Sequence, residues 1–196
     1  MASTVLQRAF TDPGPDLRPL PPRVEDLLRE LHAPPRLAAH LRAVHDVAHR
    51  ILGWLDLRYG EMAVDREAVL FGAASHDIGK VIHTAELSGP GSVHEEAGHR
   101  LLLDHGVEER LARFARTHAA WTEPDIAIED LLVSLADKVW KGKRVPDLEQ
   151  KVVDRLAAAS GQATWQAFLD LDDLLTAIAA EADRRLAFQS AHPISG

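Results

Sequence analysis

The spacing of the apolar residues limits the fold of this chain more than any other feature. From Val24 to Leu186 they recur every three or four positions, as residues on one face of an α-helix do. No segment between them alternates apolar and polar residues as a half-buried strand does. The pattern therefore predicts a compact all-α fold of about seven to nine helices.

Capping and helix-breaking residues predict where these helices begin and end. Asp65 and Ser92 are suited to cap helix N-termini, and Gly106 is suited to end a helix. The predicted helices span residues 24–31, 35–57, 66–76, 93–105 and 108–120, followed by others from Pro124 to residue 188.

The chain is predicted to contain one folded domain. Residues 1–22 are rich in proline, which interrupts helices and strand ladders, so they are predicted to form a flexible Pro-rich N-terminal arm. Residues 23–190 are predicted to form a single helical domain, whose core the helices of residues 146–188 complete. The apolar stripe of these last helices is also compatible with a homodimer interface.

The composition excludes several kinds of partner and site. The net charge of −8 argues against bulk nucleic acid, but a small phosphorylated ligand needs only a local basic patch. No apolar run is long enough to span a membrane. The chain has no cysteine, so disulfides and thiolate metal ligands are impossible and a cytoplasmic protein is expected.

The chain contains 11 histidines, and helical phase separates those of the long helix. His40 shares the apolar face with Val44. His45 and His49 point to the other side and are predicted to be solvated. A core histidine satisfied by ordinary hydrogen bonds is the alternative for His40.

Other potential ligands lie in apolar surroundings. His76-Asp77 ends one apolar run and Asp137 lies within another, where a polar group is costly unless something binds it. A hydrogen-bonded His–Asp pair and a salt bridge from Asp137 to a lysine remain alternatives. His94 and His118 are further candidates on later helices.

The order of these residues resembles that of a known family. His40-x-x-x-Val44, His76-Asp77-Ile78-Gly79-Lys80 and Leu135-Ala136-Asp137-Lys138 are similar to successive motifs of the HD superfamily of metal-dependent phosphohydrolases, over residues 36–144. The resemblance implies an HD-type helical bundle. It also implies one ion held by His40, His76, Asp77 and Asp137, and a second held by His94 and His118 with Asp77 bridging. Nitrogen and oxygen ligands of this kind suit Fe, Mn, Co or Zn.

The resemblance implies hydrolysis of a small phosphorylated metabolite or nucleotide by a hydroxide held on two divalent ions. Asp77 and Lys80 are the candidate catalytic residues. Helical spacing also predicts a basic cluster near the metals, because Arg36 lies one turn before His40 and Lys141 lies one turn after Asp137. The candidate substrate-binding residues are Arg36, Lys80, Lys138 and Lys141.

Two other functions are compatible with this ligand set. A di-iron oxygenase resembling inositol oxygenase belongs to the same superfamily and has six similar ligands. A non-catalytic nucleotide sensor is a weaker alternative, because all six ligand positions are filled. A cyclic-dinucleotide phosphodiesterase is disfavoured, because the chain lacks that group's Gly-Tyr-Pro segment and adjacent paired histidines.

Overall fold

The computed structural model describes residues 4–195 and confirms the all-α fold, with no strand in that range. The α-helices are α1 (Thr4–Thr11), α2 (Pro22–Glu30), α3 (Pro35–Arg58), α4 (Arg66–Ser75), α5 (Val93–Asp104), α6 (Glu109–Ala112), α7 (Phe114–Thr117), α8 (Ile128–Val139), α9 (Pro146–Ser160), α10 (Thr164–Ala179) and α11 (Ala182–Ser190). Two 3-10 turns, Ile78–Val81 and Thr84–Leu87, join α4 to α5. No helix among residues 4–195 is both long and apolar enough to cross a bilayer.

The described residues contain more helical segments than the seven to nine predicted. The N-terminal segment adds α1, and the predicted helix over residues 108–120 is divided at Arg113 into α6 and α7. The predicted N-cap Asp65 is confirmed, because its side chain accepts the backbone N–H of Ala68 at 3.0 Å. Gly106 follows α5 with φ +72°, the left-handed conformation in which glycine commonly ends a helix.

Helix α3 is the centre of the domain. Proline at its first position suits a helix start, because the missing N–H would have no partner there. The helix packs against α1, α4, α8 and α11, and Leu37, Leu41 and Leu52 have no exposed surface. Each such leucine stabilises the fold by roughly 2–3 kcal/mol through burial. This packing holds His40, in the same helix, deep in the bundle.

The N-terminal segment differs from the flexible arm that the prolines predict. Within residues 4–20, Leu6, Phe10 and Leu20 are buried, and α1 packs on α3. The physical reason is Arg42, whose guanidinium donates to four backbone carbonyls of this segment at 2.7–3.3 Å. Proline still limits helix formation in this segment, but the buried Arg42 holds its extended stretches against the core.

This packing also corrects the prediction that His45 and His49 are solvated. His45 is buried, with only 3% of its surface exposed, and His49 is half-buried. The side of α3 opposite His40 faces the segment Pro19–Pro22 rather than solvent, and these residues line one cleft with His45 and His49. Helical phase separated the two faces of α3 correctly, but both faces are covered.

The last helices close the other side of the bundle. Helices α9 and α10 pack on each other and on α8, while α11 packs on α3. Arg185 of α11 is buried and donates to the backbone carbonyls of Trp140 and Ile178 at 2.7 and 2.5 Å. The first bond ties α11 to the end of α8, three residues after Asp137, and the second ties it to α10.

Candidate metal centre

Two groups of three buried side chains face each other inside the bundle. The first consists of His40, His76 and Asp137, and the second of Asp77, His94 and His118. Within each group the possible ligand atoms lie within 4.8 Å of one another. The fold thus brings together all six residues that were predicted as metal ligands.

A change of backbone geometry after α4 lets two adjacent residues face the same space. Neighbouring side chains on a regular helix diverge by about 100°. His76 follows the last residue of α4 and keeps helical backbone angles, whereas Asp77, with φ −98° and ψ 11°, immediately precedes the 3-10 turn. His76 and Asp77 therefore both point toward His40 on α3.

A close approach of two glycines brings His94 to this site. Gly79 in the 3-10 turn packs its backbone against Gly98 of α5, and a Cβ at Gly79 would overlap the carbonyl oxygen of His94. The absence of a side chain at position 79 lets α5 lie directly over the turn. As a result, the His94 ring faces Asp77.

The N-terminus of α5 is capped by Glu86 and not by Ser92, so the predicted cap was wrong. The Ser92 side chain makes no capping bond. The Glu86 carboxylate accepts the backbone N–H groups of Val93 and His94 at 3.3 and 3.4 Å, and it also accepts a bond from Nδ1 of His94. A full negative charge at a helix N-terminus is more favourable than a hydroxyl because of the helix dipole.

The two carboxylate oxygens of Asp77 face different histidines. Oδ2 lies 3.1 Å from Nε2 of His40 and 3.7 Å from Nε2 of His76. Oδ1 lies 2.9 Å from Nε2 of His94 and 3.6 Å from Nε2 of His118. Asp77 is therefore shared between the two groups in the manner of a bridging carboxylate.

The hydrogen bonds of three histidines leave electron pairs directed into the site. Nδ1 of His76 and of His118 donate to backbone carbonyls at 3.0 and 3.1 Å, and Nδ1 of His94 donates to Glu86. In the neutral rings, Nε2 is then unprotonated. Nε2 of His94 is buried without a hydrogen-bond partner, although Oδ1 of Asp77 lies 2.9 Å away. Two electron pairs repel at this distance unless a cation lies between them, so the site fits metal ions.

The protonation states of the site also suit a metal. Burial opposes ionisation of Asp77 and Asp137, but His76 holds the pKa of each well below its ordinary value. Burial, followed by the neighbouring His76, lowers the pKa of His118 to about 4. Burial also acts to lower the pKa of His94, yet Asp77 outweighs it and the pKa is raised. The carboxylates are thus ionised and His118 is neutral, as metal ligands must be, whereas His94 would release a proton when a metal binds.

A cavity of about 440 Å³ opens onto these groups, and three of the predicted lysines line it. Nζ of Lys80 lies 2.6 Å from Oδ2 of Asp77, and Nζ of Lys138 lies 2.6 Å from Oδ2 of Asp137. Lys141 is exposed at the cavity and forms no ion pair with any residue between 4 and 195. The lysine ammonium groups therefore line the cavity through which an anionic substrate would enter, and two of them lie beside the carboxylates.

Arg36 does not belong to this basic cluster, so its predicted role in substrate binding was wrong. Its guanidinium donates to the carbonyl oxygens of His192 and Ser190 at 2.9 and 3.1 Å. The helical phase of Arg36 relative to His40 is as expected. However, the end of α11 and the residues after it lie over the start of α3, and their carbonyl oxygens accept the hydrogen bonds of Arg36.

Two walls of the cavity come from residues that were not predicted to bind the substrate. Trp140 packs its ring against that of His40, with centroids 4.9 Å apart. Leu186 and Gln189 reach the cavity from α11, about fifty residues further along the chain. Glu86 was also missed, because it lies in a loop that has no helical periodicity.

A comparison with models of protein families finds a match. A family model described as HD domain matches residues 37–140, which is slightly more than half of the chain. The match begins at the start of α3 and includes all six residues of the two groups. No curated protein and no solved structure matches the chain.

Proposed function

The chain belongs to the HD domain family, most of whose members are metal-dependent hydrolases, and we propose that it hydrolyses a small phosphoester with the help of two divalent metal ions. In this proposal the first ion is bound by His40, His76, Asp77 and Asp137. The second is bound by His94 and His118, with Asp77 shared between both ions.

The position of Asp77 is the observation that carries this proposal. Its Oδ2 faces His40 and its Oδ1 faces His94, so one carboxylate serves both groups. A site for a single ion would leave the second cluster of buried ring nitrogens without a ligand, and Nε2 of His94 in this cluster has no hydrogen-bond partner. Such nitrogens are costly to bury without a partner.

Divalent ions bound here would act as Lewis acids and lower the pKa of a water molecule toward neutrality. The protein's own part is to hold and neutralise the substrate. The ammonium groups of Lys80 and Lys138 each lie beside an ionised carboxylate, whereas Lys141 at the cavity forms no ion pair within residues 4–195. An entering phosphate can accept hydrogen bonds from these lysines, which offset its charge.

The dimensions of the cavity favour a small substrate. Its volume of about 440 Å³ is within the range of about 300–1,000 Å³ that is usual for small-molecule pockets. Trp140 and Leu186 give part of the wall an apolar surface, and Gln189 offers an amide. A sugar phosphate or a nucleoside monophosphate is suited to such a space.

Phosphate release is the direct test. Protein reconstituted with Mn²⁺, Fe²⁺, Co²⁺ or Zn²⁺ should release phosphate from members of a panel of sugar phosphates and nucleotides, and Asp77→Asn should abolish the activity. No release from any member with any of the four metals would refute the proposal.

The same preparations distinguish the two other functions. Turnover that requires iron and oxygen, together with a mixed-valent signal in electron paramagnetic resonance, would identify an oxygenase. Tight nucleotide binding without turnover would identify a sensor. Activity with Mn²⁺ or Zn²⁺ in the absence of oxygen would exclude both.

A further inference from the structure

One carboxylate outside the two metal-binding groups contacts a ring of the second group. Glu86 lies in the 3-10 turn Thr84–Leu87, and its Oε2 accepts the hydrogen bond from Nδ1 of His94. The opposite nitrogen of the same ring, Nε2, faces Oδ1 of Asp77 at 2.9 Å. Glu86, His94 and Asp77 thus form a line through the second group.

The surrounding loop holds Glu86 in this position. The backbone N–H groups of Val93 and His94 donate to the Glu86 carboxylate at 3.3 and 3.4 Å. Gly91 lies so close that a Cβ there would overlap the carboxyl group. The carboxylate is therefore fixed by three hydrogen bonds and by the packing of the loop.

This arrangement has a chemical consequence for His94. A neutral imidazole has one N–H, and a carboxylate that accepts it at Nδ1 leaves the electron pair on Nε2. The negative charge of the carboxylate also makes Nε2 a better donor to a metal. The backbone carbonyls that accept from His76 and His118 do the same without a charge.

We propose that Glu86 is a positioning residue that sets the affinity of the second metal ion, by fixing the ring of His94 with Nε2 directed at Asp77. This inference rests on the two-metal site of the proposed function. The first group has no comparable carboxylate partner among residues 4–195, because Nδ1 of His40 is buried without a hydrogen-bond partner. Glu86 therefore acts on one ion and not on the other.

The test is a titration of metal-free protein with Mn²⁺, in which the number of ions bound and each dissociation constant are measured by competition with a chelating dye. Glu86→Ala should weaken the second ion about 10–100-fold and leave the first within about threefold. Glu86→Gln keeps an acceptor oxygen but loses the charge, so a smaller loss of about threefold or more is expected. Glu96→Ala is the matched control, since Glu96 is an exposed carboxylate on α5 that forms an ion pair with Arg100, away from the two groups.

The outcomes separate this inference from the proposed function. Two ions bound by the wild type and a selective loss of the second in the Glu86 variants support both. Two ions with unchanged affinities in Glu86→Gln, or an equal loss of both ions, overturn the role of Glu86 alone. One ion in the wild type overturns the two-metal site and with it this role. If Glu86→Ala does not fold, Glu86→Gln decides the question.

Discussion

Nε2 of His94 lies 2.9 Å from Oδ1 of Asp77, and no proton lies between them when the N–H of the neutral ring is donated to Glu86. The two atoms repel unless a cation lies between them, so without a metal ion Asp77 favours a proton on His94 and raises its pKa, and a metal ion would take the place of that proton. Hydrogen bonds to residues outside the site therefore contribute to its metal affinity, because they orient the imidazole rings.

Asp77→Asn should remove the shared ligand while keeping its shape. Because one carboxylate serves both groups, we expect the affinity for both ions to fall and kcat to decrease by at least about 10²–10³-fold. Metal analysis of the dialysed protein and the phosphate assay measure the two effects. Asp104→Asn, at an exposed position on α5, should change neither. Loss of only one ion in Asp77→Asn would contradict the bridging role.

Gly79→Ala should separate α5 from the turn that carries Asp77. A Cβ at this position would overlap the carbonyl of His94, so α5 must shift at a cost of about 1–3 kcal/mol in the free energy of unfolding. Urea denaturation measures the loss. Gly53→Ala, in open space on α3, should be neutral or stabilising by up to about 1 kcal/mol. Equal stabilities of the two variants would show that the close approach of α5 is not required.

Arg42→Lys should release the N-terminal segment from α3. The four carbonyls that accept from the guanidinium lie between Ala9 and Arg18, and an ammonium group cannot reach all of them in the same geometry. We expect a loss of about 2–3 kcal/mol in the free energy of unfolding and faster limited proteolysis within residues 12–18. Arg100→Lys, at an exposed position, is the control. Wild-type stability and unchanged proteolysis would show that the segment is held by other contacts.

The buried ring of His45 predicts an acid sensitivity of the fold. Burial, followed by the neighbouring His49 and Arg18, lowers the pKa of His45 from 6.5 to about 3. Between these two values the unfolded chain binds a proton that the folded chain does not. The contribution to stability is therefore complete above pH 6.5 and is lost as pH falls, by at most about 1.4 kcal/mol per pH unit.

His45→Gln removes this proton uptake and provides the comparison. The loss of unfolding free energy between pH 7 and pH 5 should be smaller in the variant than in the wild type, by about 1–2 kcal/mol. Chemical denaturation at both pH values measures it. The same pH dependence in both proteins would mean that His45 is protonated in the folded state.

Much of the site could be predicted because its ligands lie on elements with regular geometry. His40 and Asp137 belong to helices with clear apolar faces, so their helical phase predicts burial. His76 and Asp77 are adjacent in the sequence, and only the backbone change after α4 lets them converge. That change is not visible in the periodicity, and the family motif supplied the expectation.

The parts that were missed depend on contacts between segments distant in the sequence. The role of Arg36 was mistaken because the chain beyond α11 returns to accept its hydrogen bonds. His45 was expected to be solvated, but the N-terminal segment covers it. Arg42 holds this segment in place through contacts that the sequence does not show. Gln189 lies more than a hundred residues from Asp77, in a helix whose position depends on the buried Arg185. Periodicity describes one helix at a time and does not predict such pairings.

The most direct test of the shared two-metal site is anomalous diffraction from crystals grown with Mn²⁺, recorded at the manganese absorption edge. We expect two anomalous peaks on either side of the Asp77 carboxylate, one near Oδ2 with His40 and His76, and one near Oδ1 with His94 and His118. A single peak at saturating Mn²⁺, or two peaks that do not share Asp77, would contradict it.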